Sequence, residues 1–229
     1  MLLKLFSYIP YFFYLGFNWN WRIACYILSQ EIKGEKKYHI VTTGVDNLKK
    51  LQKKGMDTSH ATIYMPVSYS LLETVLKEVP ALYKNHFLDI GCGKGRAMCV
   101  AAHFGFMRLT GVDFSKELCI AAENNLIHTR ENIPALDFSV INEDAARYDI
   151  PPDVDCIFLF NPFDVVIMGA VVSNIMESLE AQPRNLMVVY INPLYKELFL
   201  DEGFTEVYYF KQMKYLEGII LSKYVVFSI

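Results

Sequence analysis

From Tyr64 onward the chain alternates short apolar runs with amphipathic stretches, and this alternation constrains its fold more than any other feature. "VSYSLLETVLKEV" places Leu71, Leu72, Val75, Leu76 and Val79 on one helical face. "HFLDIG" reads as a strand and "RAMCVAAHFG" as a helix. "LTGVDF" is a strand, followed by the helix "KELCIAAENNLIHT" with Ser115 as its N-cap. "LDFSVIN" and "DCIFLFNPF" are strands, and "DVVIMGAVVSNIMESL" is a helix that Asp164 can cap. "NLMVVYINP" is the next strand, with "EVYYFKQ" and "SKYVVFSI" at the end. Buried strands alternating with helices imply a doubly wound, mostly parallel α/β sheet with helices on both faces. "MKYLEGIIL" is too short for a helical crossover, so the last two strands are expected to form a terminal antiparallel hairpin. Residues 61–229 would form this domain, and residues 1–60 an aromatic-rich helical N-terminal extension.

Charge and cysteine content narrow the function classes. The net charge of −3 gives no reason to expect a nucleic-acid partner. It is unevenly spread: residues 1–30 carry +2 and residues 31–57 carry +3, which leaves −8 for residues 58–229. The lysines of 31–57 read as a solvated helix face. Cys25, Cys92, Cys99, Cys119 and Cys156 include no CxxC pair, and the histidines are scattered. No metal site or disulfide framework is therefore expected, and a reducing, cytoplasmic location fits.

The leader "MLLKLFSYIPYFFYLGFNWNWRIACYIL" holds both tryptophans and eight other aromatic residues. Its apolar run is broken by Pro10, Gly16, Asn18, Asn20 and Arg22 and falls short of the ~20 residues of a spanning helix. It reads as helical pieces covering the domain. The alternative is a peripheral membrane contact through residues 1–29, because Trp and Tyr favour interfaces.

Which ligand suits "FLDIGCGKG"? Gly91, Gly93 and Gly95 lie between a strand and its helix, where a doubly wound sheet binds ligands. A dinucleotide fingerprint would need glycine at position 96, which is Arg96. A phosphate-binding Walker loop would need glycine at position 88 and Ser or Thr after Lys94, but these are Leu88 and Gly95. Asp89 would repel a pyrophosphate and suits a cationic ligand such as S-adenosylmethionine, whose carboxylate could take loop N–H groups. Asp113 in "GVDFS" follows Gly91 by a crossover's length and suits vicinal ribose hydroxyls. Asp144 in "INEDAARY" could accept from an adenine amino group, with the Ala145 N–H bonding the ring.

"FLDIGCGKG", "GVDFS", "EDA" and "FLFNPF" together resemble class I, Rossmann-like S-adenosylmethionine-dependent methyltransferases over about residues 60 to 229. The resemblance implies a seven-stranded sheet with one antiparallel strand. It sets Gly91, Gly93 and Gly95 against the methionine moiety, Asp113 at the ribose and Asp144 at the adenine. The expected cofactor-binding residues are Tyr64, Asp89, Gly91, Cys92, Gly93, Gly95, Asp113, Phe114, Asp144, Ala145 and Asn161.

Methyl transfer chiefly requires an aligned nucleophile with its lone pair available. In "FNPF", the Asn161 side-chain carbonyl and the Pro162 backbone carbonyl can accept from an amine, and Phe163 can pack on the acceptor. The loop resembles the N-P-P-Y motif of methyltransferases acting on amino and amide nitrogens, with one proline fewer and Phe for Tyr. The acceptor expected first is an amine nitrogen, in protein lysine or a small molecule, and a membrane-associated substrate comes second. Tyr190 to Pro193, "YINP", could line the acceptor pocket. The remaining classes are an NAD(P)-dependent Rossmann oxidoreductase and a methyltransferase-like domain that binds without catalysis. Asp113 would suit the oxidoreductase, but Arg96 and the missing Tyr-x-x-x-Lys signature oppose it.

Overall fold

The computed structural model describes residues 8–9, 12–13, 16–17, 21–43, 66–160, 163–212 and 216–224. In chain order the elements are α1 (Trp21–Tyr38), α2 (Tyr69–Glu78), a 3-10 turn (Ala81–Tyr83), β1 (His86–Ile90), α3 (Arg96–His103), β2 (Arg108–Asp113) and α4 (Lys116–Asn132). There follow β3 (Asp137–Asn142), β4 (Cys156–Phe160), α5 (Val165–Ala181), β5 (Leu186–Ile191), α6 (Lys196–Asp201), β6 (Thr205–Gln212) and β7 (Leu216–Lys223). The boundary expected at residues 60/61 falls outside the described residues.

The strands form one seven-stranded sheet in the order β3-β2-β1-β4-β5-β7-β6. The pairs β1–β2, β2–β3, β1–β4 and β4–β5 are parallel, and β7 runs antiparallel to both β5 and β6. This is the expected doubly wound sheet with its terminal hairpin. β7 comprises "LEGIILSK", whereas the strand expected over "SKYVVFSI" lies mostly outside the described residues, which end at Tyr224. The apolar run Gly218–Leu221 is what β5 needs beside it: Val189 pairs with Ile220 and Tyr190 with Ile219. Helix α6, which lies between β5 and β6, is six residues long. Its single turn and a half carries too little periodicity to read from sequence.

Alternate strand residues feed two cores, as the two-residue repeat of a sheet buried on both faces requires. Phe87, Leu109, Phe158, Val189 and Ile220 meet α2, α3 and α4 in the first core. Leu88, Val112, Ile157, Val188 and Leu221 meet α5 in the second. Each such side chain stabilises the fold by about 1.5–3 kcal/mol when fully buried. Tyr38 and Ile40, at the end of α1 and just beyond it, also belong to the first core. Ser115 caps α4 by accepting the Leu118 N–H at 3.4 Å, and Asp164 caps α5 by accepting from Val166 and Ile167 at 3.0 and 3.1 Å.

At the amino end of β1, the buried His86 side chain places Nε2 2.8 Å from Thr110 Oγ1 and Nδ1 3.2 Å from the Asp153 carboxylate. Arg108 also binds Asp153, and Asp155 accepts the His86 N–H at 3.0 Å. Burial pushes the imidazole below its ordinary value of 6.5, and Asp153 opposes this incompletely. As pH falls through 6.5, the unfolded chain protonates before the folded one, so stability should drop. Melting temperatures from pH 8 to 5, taken with and without His86→Gln, measure this as a shallower loss in the variant. Parallel curves would exclude His86 as a source.

Candidate functional site

The strand order reverses between β1 and β4, and at this point the crossovers on either side leave a crevice beyond the carboxyl ends of the strands. The glycine loop occupies it. Gly91, Gly93 and Gly95 have φ of 81°, 54° and 75°, the left-handed region that a side chain disfavours. Gly95 is also the N-cap of α3, and a Cβ there would lie 3.1 Å from the Ala122 Cβ of α4. The three glycines are thus required by the loop's own path.

The loop is largely satisfied from within. The N–H groups of Gly91 and Cys92 donate to the Val112 carbonyl at 2.8 and 3.0 Å. That of Gly93 donates to Asp113 Oδ2 at 2.9 Å, and that of Gly95 to the Cys92 carbonyl at 2.8 Å. These four N–H groups are committed to the fold, which corrects the expectation that they present themselves to a ligand carboxylate. Cys92 is buried, and burial lifts its thiol well above the ordinary range, so it is packing rather than a nucleophile.

Asp89 lies on β1 and Asp113 ends β2, both buried. Asp113 accepts Gly93 N–H through one oxygen and Ser115 N–H at 2.8 Å through the other. Each oxygen carries a second lone pair, the acceptor that a ribose hydroxyl needs. Asp89 makes no hydrogen bond among the described residues. Burial, and then the neighbouring Asp113 charge, raise its carboxyl well above 3.8. An isolated buried carboxyl group is costly unless a ligand compensates it. A cationic ligand would do so, and this is the observation by which the site fits S-adenosylmethionine. Asp89→Asn should leave the ligand-free protein as stable or more stable at pH 7, because a raised acid pKa loses stability as pH rises through it. The same change should weaken S-adenosylhomocysteine binding by about tenfold or more. Melting curves and calorimetry measure the two effects, and unchanged affinity would remove Asp89 from the site.

The end of β3 is stitched to that of β2. Asn142 Nδ2 donates to the carbonyls of Asp113 and Phe114 at 3.0 and 2.8 Å, and Glu143 N–H donates to the Asp113 carbonyl at 3.1 Å. Phe114 is half-buried beside this seam. Asp144 is exposed and turns the chain by accepting the Ala146 N–H at 3.0 Å, while Ala145 is buried. Asp89, Asp113, Phe114, Asp144 and Ala145 therefore sit at the ends of three adjacent strands, or just past them.

Phe160 ends β4, which adjoins β1 through the pairing of Asp89 with Phe158. Asn161, Pro162 and Tyr64 lie outside the described residues. Phe163 is half-buried and packs against the second core, just before the cap of α5. Tyr190 does not line a pocket. It is fully buried against Phe199, with ring centroids 5.9 Å apart, and burial pushes its hydroxyl up to about 12. Residue 190 falls on the core face by the strand's two-residue repeat, which "YINP" alone conceals.

The sequence reading assigns no role to the polar network behind the loop. Arg96 is 3% exposed and pairs with Glu31 of α1, which is equally buried. Arg96 also donates to Thr42 Oγ1 and the Val67 carbonyl, each at 2.7 Å, and lies 4.1 Å above the Tyr69 ring. Glu35 accepts the N–H groups of Thr42 and Thr43 at 2.7 Å. Asn125 on α4 accepts the Val41 N–H at 2.9 Å and donates to the Lys94 carbonyl at 2.9 Å. Asn125 shares a helical phase with Ala122, Leu126 and Thr129, so a polar residue on that apolar face was the available signal. Thr42 carried none, because its partner Arg96 is more than fifty residues away.

Residues 88–189 match the family model described as a methyltransferase domain. No curated protein matches the chain in sequence. Among solved structures, the chain is similar in fold to the methyltransferase domain of bacterial CtHen1-C (14% identity, TM-score 0.53), with 67% of this chain covering 97% of that one. It is also similar to the putative methyltransferase yhhF from Escherichia coli (14% identity, TM-score 0.50), with coverage of 71% and 92%. A third likeness is to the O-MT region of StiE (11% identity, TM-score 0.52), with coverage of 67% and 72%. The matched segment holds the glycine loop, both buried acids and the strand reversal, and methyltransferases of this fold use S-adenosylmethionine as methyl donor, which the uncompensated Asp89 suits. Residues 88–189 thus form a methyltransferase domain on a class I, Rossmann-like fold, whose methyl donor is S-adenosylmethionine.

Proposed function

We propose that the chain transfers the methyl group to an amine nitrogen, of a protein lysine or a small molecule, presented beside the end of β4. The observation that carries this reading is the pairing of β4 with β1. It sets the start of "FNPF" next to the strand that bears Asp89. S-adenosylmethionine, when bound, supplies a methyl group on a cationic sulfonium. In this reading Asp89 compensates the ammonium group of the methionine moiety, Asp113 holds the ribose hydroxyls and Asp144 with Ala145 meets the adenine. Gly91, Cys92, Gly93 and Gly95 form the wall against the methionine moiety, flanked by Phe114. Asn161 and Pro162 accept hydrogen bonds from the acceptor amine through carbonyl oxygens, which turns its lone pair toward the methyl group. Phe163 packs behind it. Val165, Val166 and Leu194, all exposed beyond β4 and β5, make the adjoining surface apolar.

Labelled methyl transfer into fractionated cell extract tests the reading. Label in acid- and base-stable N-methyl products, lost with Asn161→Ala even at saturating S-adenosylmethionine, is the expected result. Label released by mild base would mark an oxygen acceptor and overturn it.

A further inference from the structure

The outward face of α1 combines aromatic and aliphatic side chains with positive charge and has no acid. At about 3.6 residues per turn, Ala24, Glu31, Gly34, Glu35 and Tyr38 fall on one arc of the helix, and all are buried. Gly34 lets this arc approach closely, since a Cβ there would lie 2.1 Å from the Tyr69 ring. Trp21, Arg22, Cys25, Tyr26, Ile32, Lys33, Lys36 and Lys37 occupy the opposite arc, and all are exposed. Glu31 and Glu35 are the acids of α1, and both are spent inside on Arg96 and on the backbone of Thr42 and Thr43. Lys37 is paired with Glu73 of α2, so Arg22, Lys33 and Lys36 carry most of the outward charge.

Ile9, Phe13 and Phe17, spaced four residues apart, extend the apolar part of the face. Phe17 is 78% exposed and Trp21 46%. The Trp21 ring centroid lies 6.0 Å from that of Phe13 and 5.3 Å from that of Phe17, so these rings form one outward cluster. Aromatic rings beside Lys and Arg, with acids excluded, are the composition of a helix that lies in the headgroup region of an acidic bilayer. The rest of the chain, residues 58–229, carries −8 and would be held away from such a surface, which orients the molecule. No helix among the described residues is long and apolar enough to cross a membrane.

We propose that this face is a peripheral docking surface for membranes rich in anionic lipid. The rings of Phe13, Phe17 and Trp21 enter the interface, and Arg22, Lys33 and Lys36 meet the acidic headgroups. The Glu31–Arg96 pair and the Gly34–Tyr69 contact hold the face rigidly against the domain that binds the cofactor.

Trp21 lies in this face and the chain's other tryptophan is two residues before it in the sequence, so the unaltered protein carries its own probe. Full-length protein mixed with vesicles of phosphatidylcholine plus phosphatidylserine should sediment with them, and brominated acyl chains should quench its tryptophan fluorescence. Pure phosphatidylcholine vesicles should bind much less, and added salt should release the protein. Replacing Arg22, Lys33 and Lys36 together by Gln should weaken anionic-vesicle binding by about a hundredfold. Phe13→Ser with Phe17→Ser should abolish the quenching while S-adenosylhomocysteine binding is retained. Absence of quenching and sedimentation with the unaltered protein would overturn the proposal. So would a concentration-dependent dimer that the two serine substitutions dissolve, because the face would then meet a second copy of the chain.

Discussion

Glu31→Ala is expected to destabilise the protein by about 3–5 kcal/mol, the cost of leaving one member of a buried ion pair alone. Arg96 and Glu31 are both 3% exposed, so water cannot replace the lost partner. The loss should spread beyond the pair. Glu31 also accepts from Thr43 Oγ1 at 2.8 Å, and Arg96 holds Thr42 and Val67. A single transition shifted to lower denaturant, measured by both helix content and tryptophan fluorescence, would show that α1 and the sheet unfold as one unit. An unshifted midpoint would mean that the pair is replaceable. Glu31→Met combined with Arg96→Met should recover part of the loss, because an apolar pair carries no desolvation cost, although the bonds to Thr42 and Val67 remain unmade. A double variant less stable than either single one would show that those other bonds dominate.

Asp113→Ala should damage the binding site and the scaffold together. Its carboxylate accepts two backbone N–H groups, from Gly93 and Ser115, at a buried position. Hydrogen bonds to charged groups contribute about 1.5–3 kcal/mol each, and the orphaned N–H groups add a desolvation cost. Stability should therefore fall by about 3 kcal/mol or more. S-adenosylhomocysteine affinity should fall by about 10- to 150-fold if the same carboxylate also holds the ribose. Asp113→Asn separates the roles. Its one carbonyl oxygen can serve a single backbone N–H, and its amide donates where the second N–H needs an acceptor. Calorimetry on Asp113→Asn at a temperature where it is fully folded gives the binding loss free of unfolding. Affinity equal to that of the unaltered protein would confine Asp113 to shaping the loop.

Both variants act at the start of α3, where the glycine loop is preorganised. Its N–H groups are held by Val112, Cys92 and Asp113, and its first helical residue, Arg96, is held by α1. In the sequence, Arg96 served to exclude a dinucleotide, since the third glycine of that fingerprint would stand there. In the fold it pairs with Glu31, so the residue that departs from the dinucleotide pattern also ties α1 to the start of α3.

What the sequence determined by itself was local. Strand and helix periods give the layers, and three glycines behind an acid give the loop and the charge of its ligand. The Ser115 and Asp164 caps likewise depend on residues within a few positions of one another. Tertiary structure decided whatever depends on partners far apart in the chain. β7 lies in "LEGIILSK", which pairs with β5 in antiparallel register. Tyr190 went inward because the sheet is covered on both faces. Glu31 and Glu35, which by composition would belong to a solvated charged stretch, are buried because Arg96 and two backbone N–H groups wait for them across the chain. Their withdrawal leaves the outer face of α1 aromatic and cationic. Burying an acid requires a specific partner in space, and no local pattern in the sequence carries that information.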